Sequence, residues 1–174
     1  SDFKLIELNK KFKFIKNKIN LLDLGSSPGG WSQVASNFLK QGKILAVDIK
    51  PMERIKNVSF LKGNFLTEDV KNKISKEFVG QIDVVISDMA ANTTGNKNLD
   101  CIRTNELCME VINFSAKMLK NQGILVSKLF IGEDFLEVKK LAKNKFKKVQ
   151  FFKPKSSRGE SKETYIHCST LNTL

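Results

Sequence analysis

The sequence predicts an α/β fold, with a mostly parallel seven-stranded sheet, an antiparallel C-terminal strand and helices on both faces. Three observations carry that prediction. Short apolar segments alternate with helical ones along the chain, which calls for parallel strands joined by crossover helices. The segment "GILVSKLF" (123–130) is almost continuously apolar, as a strand covered on both faces must be. The last two strand-like segments are separated only by "PKSSRGESK" (154–162). That is too short for a helical crossover, so they pair antiparallel.

The elements follow in order. Residues 3–16 read as an amphipathic helix with a basic polar face. "INLLDLG" (19–25) is a short apolar strand, and "GSSPGG" (25–30) is a turn leading into a helix over 31–40. "KILAVDI" (43–49) and "VSFLKGN" (58–64) are the next strands, followed by a charged helix over 67–77. "QIDVVISD" (81–88) is a fourth strand, and "MAANTTGN" (89–96) is rich in turn formers. Ile102, Leu107, Val111, Ile112, Phe114, Met118 and Leu119 recur at helical spacing over 100–121. The strand around Lys128 comes next, then a helix over 133–144. Strands "KKVQFFK" (147–153) and "ETYIHCS" (163–169) end the chain. Residues 1–174 form one domain, long enough for a sizeable core. No apolar run approaches the ~18 residues of a membrane span, and no signal-peptide pattern opens the chain.

The formal charge of +12 points to a polyanionic partner, nucleic acid first. A composition bias competes with that reading, because 27 Lys against 3 Arg, with abundant Asn and Ile, is what an AT-rich genome supplies. Cys101, Cys108 and Cys168 form no disulfide framework and read as small buried thiols of a reducing compartment. His167 has no partner histidine, so it reads as structural, and no metal site is expected.

In parallel sheets ligands sit beyond the carboxyl ends of the strands. Asp23, Asp48, Asp88 and Lys128 all fall there. The loop "DLGSSPGGWSQ" is not G-x-G-x-x-G, because the glycines after Gly25 are Gly29 and Gly30; this weakens a pyrophosphate-binding reading. Asp23 would repel a diphosphate and suits a cationic ligand. Asp48, 23 residues after Gly25, is placed to accept both hydroxyls of a ribose. An adenosine cofactor without phosphates fits, which points to S-adenosylmethionine and to a Rossmann-like methyltransferase rather than a dehydrogenase. The plainer alternatives are a structural turn for the loop and, for Lys128, a strand-end lysine snorkelling to water.

"DLGSSPGGWSQ", "SDMAANTTG", "LVSKLF" and "KPKSSRGESKETYI" together resemble, in order and spacing, the motifs of the FtsJ/RrmJ (RlmE) family of ribosomal RNA 2'-O-methyltransferases. The resemblance covers essentially the whole chain. It implies a catalytic Lys-Asp-Lys-Glu tetrad at Lys4 (in "FKLIEL"), Asp88, Lys128 and Glu163. It also implies cofactor contacts at Gly29, Trp31, Asp48 and Asp88, beside Asp23, Gly25 and Gly30 of the loop. Three departures stand out. Ala91 replaces the proline of S-D-M-A-P-N and should loosen that loop. Asn64 stands where the family has an adenine-contacting aspartate, and it keeps a carbonyl acceptor. Family members carry a basic segment upstream of the first tetrad lysine, so such a segment is expected ahead of residue 1.

The tetrad's expected task is to hold a ribose hydroxyl in line with a reactive methyl group and to manage one proton. Lys128 would orient the hydroxyl, steer its proton and stabilise developing oxyanion charge. Asp88 would fix that lysine, with Lys4 and Glu163 completing the network. The basic stretches 10–18, 139–148 and 153–162 are candidate phosphate contacts, the first and third favoured because they flank Lys4 and Glu163. The expected substrate is a uridine of large-subunit ribosomal RNA within an assembling particle. The expected protein is a cytoplasmic monomer, or an organellar one in a eukaryote. Transfer-RNA or cap 2'-O-methylation, a non-catalytic RNA-binding assembly factor and a dinucleotide-dependent oxidoreductase are the rival readings.

Overall fold

The computed structural model describes residues 2–157, 159 and 161–173. Arg158 and Glu160, within the third basic stretch, lie outside the described residues. The chain order is α1 (Asp2–Phe12), β1 (Lys18–Leu24), α2 (Gly30–Phe38), β2 (Gln41–Asp48), β3 (Val58–Lys62), α3 (Glu68–Glu77), β4 (Ile82–Ser87), α4 (Lys97–Met118), β5 (Leu119–Phe130), α5 (Phe135–Lys145), β6 (Phe146–Phe152) and β7 (Glu163–Leu171). The strands form a seven-stranded sheet in the order β3-β2-β1-β4-β5-β7-β6. β7 runs antiparallel to both its neighbours, β5 and β6, whereas β1 to β5 pair in parallel.

Two apolar layers sandwich the sheet because alternate residues of each strand point to opposite faces. Leu22, Leu24, Leu45, Val85 and Leu125 pack on one face with Ile74 of α3 and Val111 of α4. Leu21, Ile44, Val84, Val126 and Tyr165 pack on the other with Leu5 and Leu8 of α1 and Trp31 of α2. The β7 core is buried from Thr164 to Cys168, whereas β6 shows exposed Lys147, Lys148 and Gln150. β6 therefore takes the sheet edge, where lysine discourages pairing with another chain.

Most element boundaries shift by a residue or two from the sequence reading, and the larger differences lie at α1 and α4. Helix α1 stops at Phe12, not residue 16. Lys13 turns left-handed at φ 52°, and the Asn9 side chain accepts the Ile15 N–H at 2.9 Å. Phe14 and Ile15 then fold back into the core. Helix α4 stops at Met118, and β5 begins at once with Leu119 paired to Ile82, ahead of a register shift. Of the three thiols expected to be buried, Cys108 and Cys168 are, and Cys101 is partly exposed. His167 is buried in β7. Its ring stacks on Phe12 at 4.2 Å, and burial, with Lys148 adding, pushes its pKa down to about 4. Among the described residues no helix is long and apolar enough to cross a membrane.

Candidate active site

The polar strand ends meet at one edge of the sheet. After β1 the chain turns sharply through Gly25 and Gly29, at φ 72° and 124°, a region that side chains disfavour. The N–H groups of Gly25 and Ser26 both donate to the Val47 carbonyl, at 2.9 and 3.1 Å, folding the turn over the end of β2. Ser27 N–H donates to Asp48 Oδ2 at 2.8 Å and Lys50 N–H to Oδ1 at 2.9 Å. These bonds fix the Asp48 carboxylate and leave lone pairs on both oxygens. The turn opens on a cleft of about 360 Å³, lined among others by Gly25, Asp48, Asn64, Asp88, Ala91 and Leu107, a volume within the ~300–1,000 Å³ usual for small-molecule sites. The Asn64 side-chain Oδ1 accepts Leu66 N–H at 3.0 Å, so one of its lone pairs remains.

The second half of the turn does not line this cleft. Asp23 is buried and accepts the Ser32 hydroxyl at 2.7 Å, so it faces α2. Burial, with the charges of Asp88 and Asp48 adding, pushes its carboxyl up to about 7 against the Ser32 bond. Trp31 is buried, its ring centroid 5.7 Å from that of Tyr165. Gly29 packs against Ile55 and Met52, and a side chain at Gly30 would collide with the Asp2 carboxylate. The sequence reading expected direct cofactor contact from Asp23, Gly29, Gly30 and Trp31. None of the four is among the cleft-lining residues, because the loop dives there into α2, which is itself packed under α1.

The four expected catalytic residues converge. Lys4 Nζ lies 2.7 Å from Glu163 Oε1. Lys128 Nζ lies 3.5 Å from Asp88 Oδ1 and 3.8 Å from Glu163 Oε2. Register explains the meeting. Lys128 pairs with Tyr165 and Phe130 with Glu163 across the β5/β7 ladder, and cross-strand partners share a face. Helix α1 crosses that face and lowers Lys4 onto it. Asp88 belongs both to the cleft and to this cluster. Lys4, Lys128 and Glu163 stand beside the cleft at the Asp88 end.

The sequence reading gave Tyr165 no role, yet its hydroxyl sits at the centre of the cluster, 2.7 Å from Asp88 Oδ1 and 3.2 Å from Glu163 Oε1. The signal was available in "ETYI", because residues two apart on a strand share a face. Burial, with the Asp88 and Glu163 charges adding, pushes the phenol well above its ordinary range, so it stays a donor. Burial raises Asp88 too, although Lys128 and the Tyr165 bond oppose it. Glu163 goes the other way. Burial would raise it, but the Lys4 hydrogen bond and the Lys128 charge outweigh that and hold it below its ordinary value.

The basic stretches separate in space. The third leaves β6 beside Glu163 and is anchored to α1, where the Glu7 carboxylate accepts Lys155 N–H at 2.6 Å and Ser156 N–H at 2.9 Å. Its Lys153 is engaged internally, donating to the Ser161 and Glu163 carbonyls at 2.6 Å each. The first descends along α1 to Lys18 at the start of β1, so it flanks Lys4 only at its upper end. The second spans the end of α5 and the start of β6, at the opposite sheet edge from the cleft.

Residues 1–171 match the family model described as FtsJ-like methyltransferase. The chain is 50% identical over 171 residues to "Ribosomal RNA large subunit methyltransferase E" of Pelagibacter ubique, covering 98% of this chain and 84% of that one. It is 42% identical over 170 residues to the protein of the same description from Rickettsia akari, covering 94% and 75%. The fold superposes with a TM-score of 0.86 on a crystal structure of a Plasmodium falciparum protein assigned as a ribosomal RNA methyltransferase, at 30% identity over 98% of this chain and 96% of that one.

Proposed function

The chain belongs to the FtsJ-like methyltransferase family, and from that membership we propose that it methylates the ribose 2'-hydroxyl of a uridine in large-subunit ribosomal RNA, with S-adenosylmethionine as methyl donor. One observation carries the reading: Asp88 lines the cleft and, at the same time, anchors Lys128 at 3.5 Å. A ligand in the cleft and a nucleophile held by Lys128 therefore meet at a shared carboxylate.

The cleft suits the cofactor. Asp48, held by two backbone N–H groups, presents free lone pairs for a pair of ribose hydroxyls. Asn64 keeps an acceptor and an amide for an adenine edge. Asp88 offers negative charge where a sulfonium would lie. When bound, S-adenosylmethionine supplies an electrophilic methyl group.

The chain's own residues handle the nucleophile. The Lys128 side chain, only 12% exposed and with its amine flanked by two carboxylates, holds the 2'-oxygen, steers its departing proton toward the Asp88 carboxylate and stabilises the negative charge growing on the oxygen. Asp88 and Glu163 keep that amine aimed, and Tyr165 ties the two carboxylates together. Lys4 neutralises Glu163 and roofs the cluster. The loop after β6, with the net charge of +12, supplies phosphate attraction. A 2'-hydroxyl substrate makes the target RNA and not DNA. The same reading has the protein act as a monomer on a large-subunit particle, in the cytoplasm or in a ribosome-bearing organelle.

The test is transfer of tritiated methyl to large-subunit particles, free ribosomal RNA, transfer RNA and capped RNA, followed by mapping of the modified ribose. Incorporation at one 2'-O-methyluridine of the ribosomal RNA is expected. Label on a base nitrogen or carbon, or on transfer RNA or cap alone, would overturn the assignment.

A further inference from the structure

Two consecutive buried polar residues of α4, Thr104 and Asn105, take no part in the reaction described above. Thr104 is 1% exposed and Asn105 0%. Both sit on the helix beside the cleft, on the buried face that also carries Cys108, Val111 and Ile112. Polar groups so placed are costly unless fully bonded, and their bonds go to two informative places.

The Asn105 carboxamide accepts Phe130 N–H at 2.7 Å and donates to the Phe130 carbonyl at 2.9 Å. Its amide also donates to Asp134 Oδ1 at 2.7 Å. The first two bonds are those a neighbouring strand would make. β4 ends at Ser87, paired with Ser127, so β5 continues past its neighbour with one edge uncovered. Asn105 stands in for the missing strand. Phe130 is the cross-strand partner of Glu163 and lies two residues past Lys128, so the group held is the strand end that carries Lys128 and pairs with Glu163.

Thr104 Oγ1 accepts Ala91 N–H at 3.0 Å. Ala91 is three residues past Asp88, at the position where the family motif has proline. Proline has no N–H to give. The alanine that the sequence suggested would loosen this loop instead ties it to the helix.

We propose that Thr104 and Asn105 are positioning residues, which use α4 as a rigid spacer to fix the Asp88 loop and the Lys128 strand end relative to each other. Neither touches cofactor or substrate; both act through backbone. The inference rests on the methyltransferase reading, and its test includes a readout that does not.

The variants are Asn105→Ala, Thr104→Val and Thr104→Ser. Methyl transfer to large-subunit particles gives kcat, calorimetry gives S-adenosylmethionine affinity, and NMR of ¹³C-dimethylated lysines follows the Lys128 signal, assigned by its loss in Lys128→Arg. Thr104→Val and Asn105→Ala should each lower kcat about 10- to 100-fold, while cofactor affinity stays within about threefold, as expected where alignment rather than binding is lost. Thr104→Ser, which keeps the acceptor, should recover most of the activity. The Lys128 resonance of Asn105→Ala should move toward those of exposed lysines. Should Asn105→Ala fail to fold, the valine and serine pair decides: loss in one and recovery in the other supports the proposal, and wild-type kcat in Thr104→Val overturns it. An unmoved Lys128 resonance in folded Asn105→Ala overturns the positioning role whatever reaction the wild type performs. Wild-type protein that transfers no methyl to RNA, with a Lys128 signal that shifts as expected, overturns the function but not the positioning.

Discussion

Lys128→Met removes an ammonium that lies 3.5 Å from Asp88 and 3.8 Å from Glu163 while keeping most of the side-chain volume. At an effective dielectric of about 20, each attraction is about 4 to 5 kcal/mol before desolvation is subtracted. The lysine and Asp88 retain 12% and 19% exposure, so the net cost of breaking the cluster falls at the lower end for buried pairs, about 3 kcal/mol. That cost depends on pH. Burial already raises the Asp88 carboxyl, and Lys128 is the strongest influence opposing it. Without the lysine the carboxyl rises further, so the folded state gains protons relative to the unfolded chain and loses stability as pH increases through the new value. Urea denaturation should therefore show a larger deficit at neutral pH than near pH 4, where the unfolded carboxyl is also protonated. Loss of the group that holds the reacting oxygen should lower kcat about 10³-fold, or about 4 kcal/mol at 1.36 per decade. Calorimetric affinity for S-adenosylmethionine should change less than about threefold, since Lys128 is not among the cleft-lining residues. A variant that transfers methyl within tenfold of the wild-type rate would refute the role, and an equal stability deficit at both pH values would refute the electrostatic argument.

Other perturbations read other parts of the site. Asp48→Ala removes the fixed carboxylate of the cleft and should weaken cofactor binding about 10- to 100-fold, by loss of charge-assisted hydrogen bonds worth about 1.5–3 kcal/mol; unchanged calorimetric affinity would count against the ribose assignment. Asp23→Asn addresses a carboxyl raised from 3.8 to about 7. Such a group makes the wild type lose stability as pH rises from about 4 to 7, so the variant should flatten that slope in urea titrations and gain up to about 4 kcal/mol at pH 8. A slope unaltered by the substitution would exclude Asp23 as its source. Glu7→Ala frees the Lys155 and Ser156 amides and should speed proteolytic cleavage between residues 154 and 161. The KM for RNA should rise in the same variant, with cofactor affinity constant; unchanged cleavage would show that the anchor holds nothing.

Much of the fold could be read from the chain because its signals are local. The near-continuous apolar run around Val126 marks a central strand, and the short 154–162 link forces antiparallel pairing. Asp48 and Asp88 close their strands where such folds bind ligands, and both line the cleft. Local pattern fell short where distant contacts added to it or overrode it. The basic run 10–18 continues a helical periodicity past Phe12, but the Asn9 side chain and the burial of Phe14 and Ile15 break it. The string "PGGWSQ" offers Gly30 and Trp31 as ligand contacts; the fold adds close packing of Gly30 against Asp2 of α1 and of the Trp31 ring against Tyr165.

The chain order and type of the strands and the glycine turn were determined by sequence alone, since each depends on residues a few positions apart, whereas the four charged residues were picked out through the resemblance of their motifs to a known family. Whether β6 or β7 lies against β5 depended on which strand could bury its side chains on both faces. Lys147 and Lys148 sent β6 to the edge. With β7 in the inner place, Tyr165 stands opposite Lys128 one strand spacing away, about 4.8 Å, and Glu163 lies two residues along on the same face. In the other order they would stand two spacings away, beyond hydrogen-bond reach, so the cluster exists only because the folded chain competes for buried positions in the sheet.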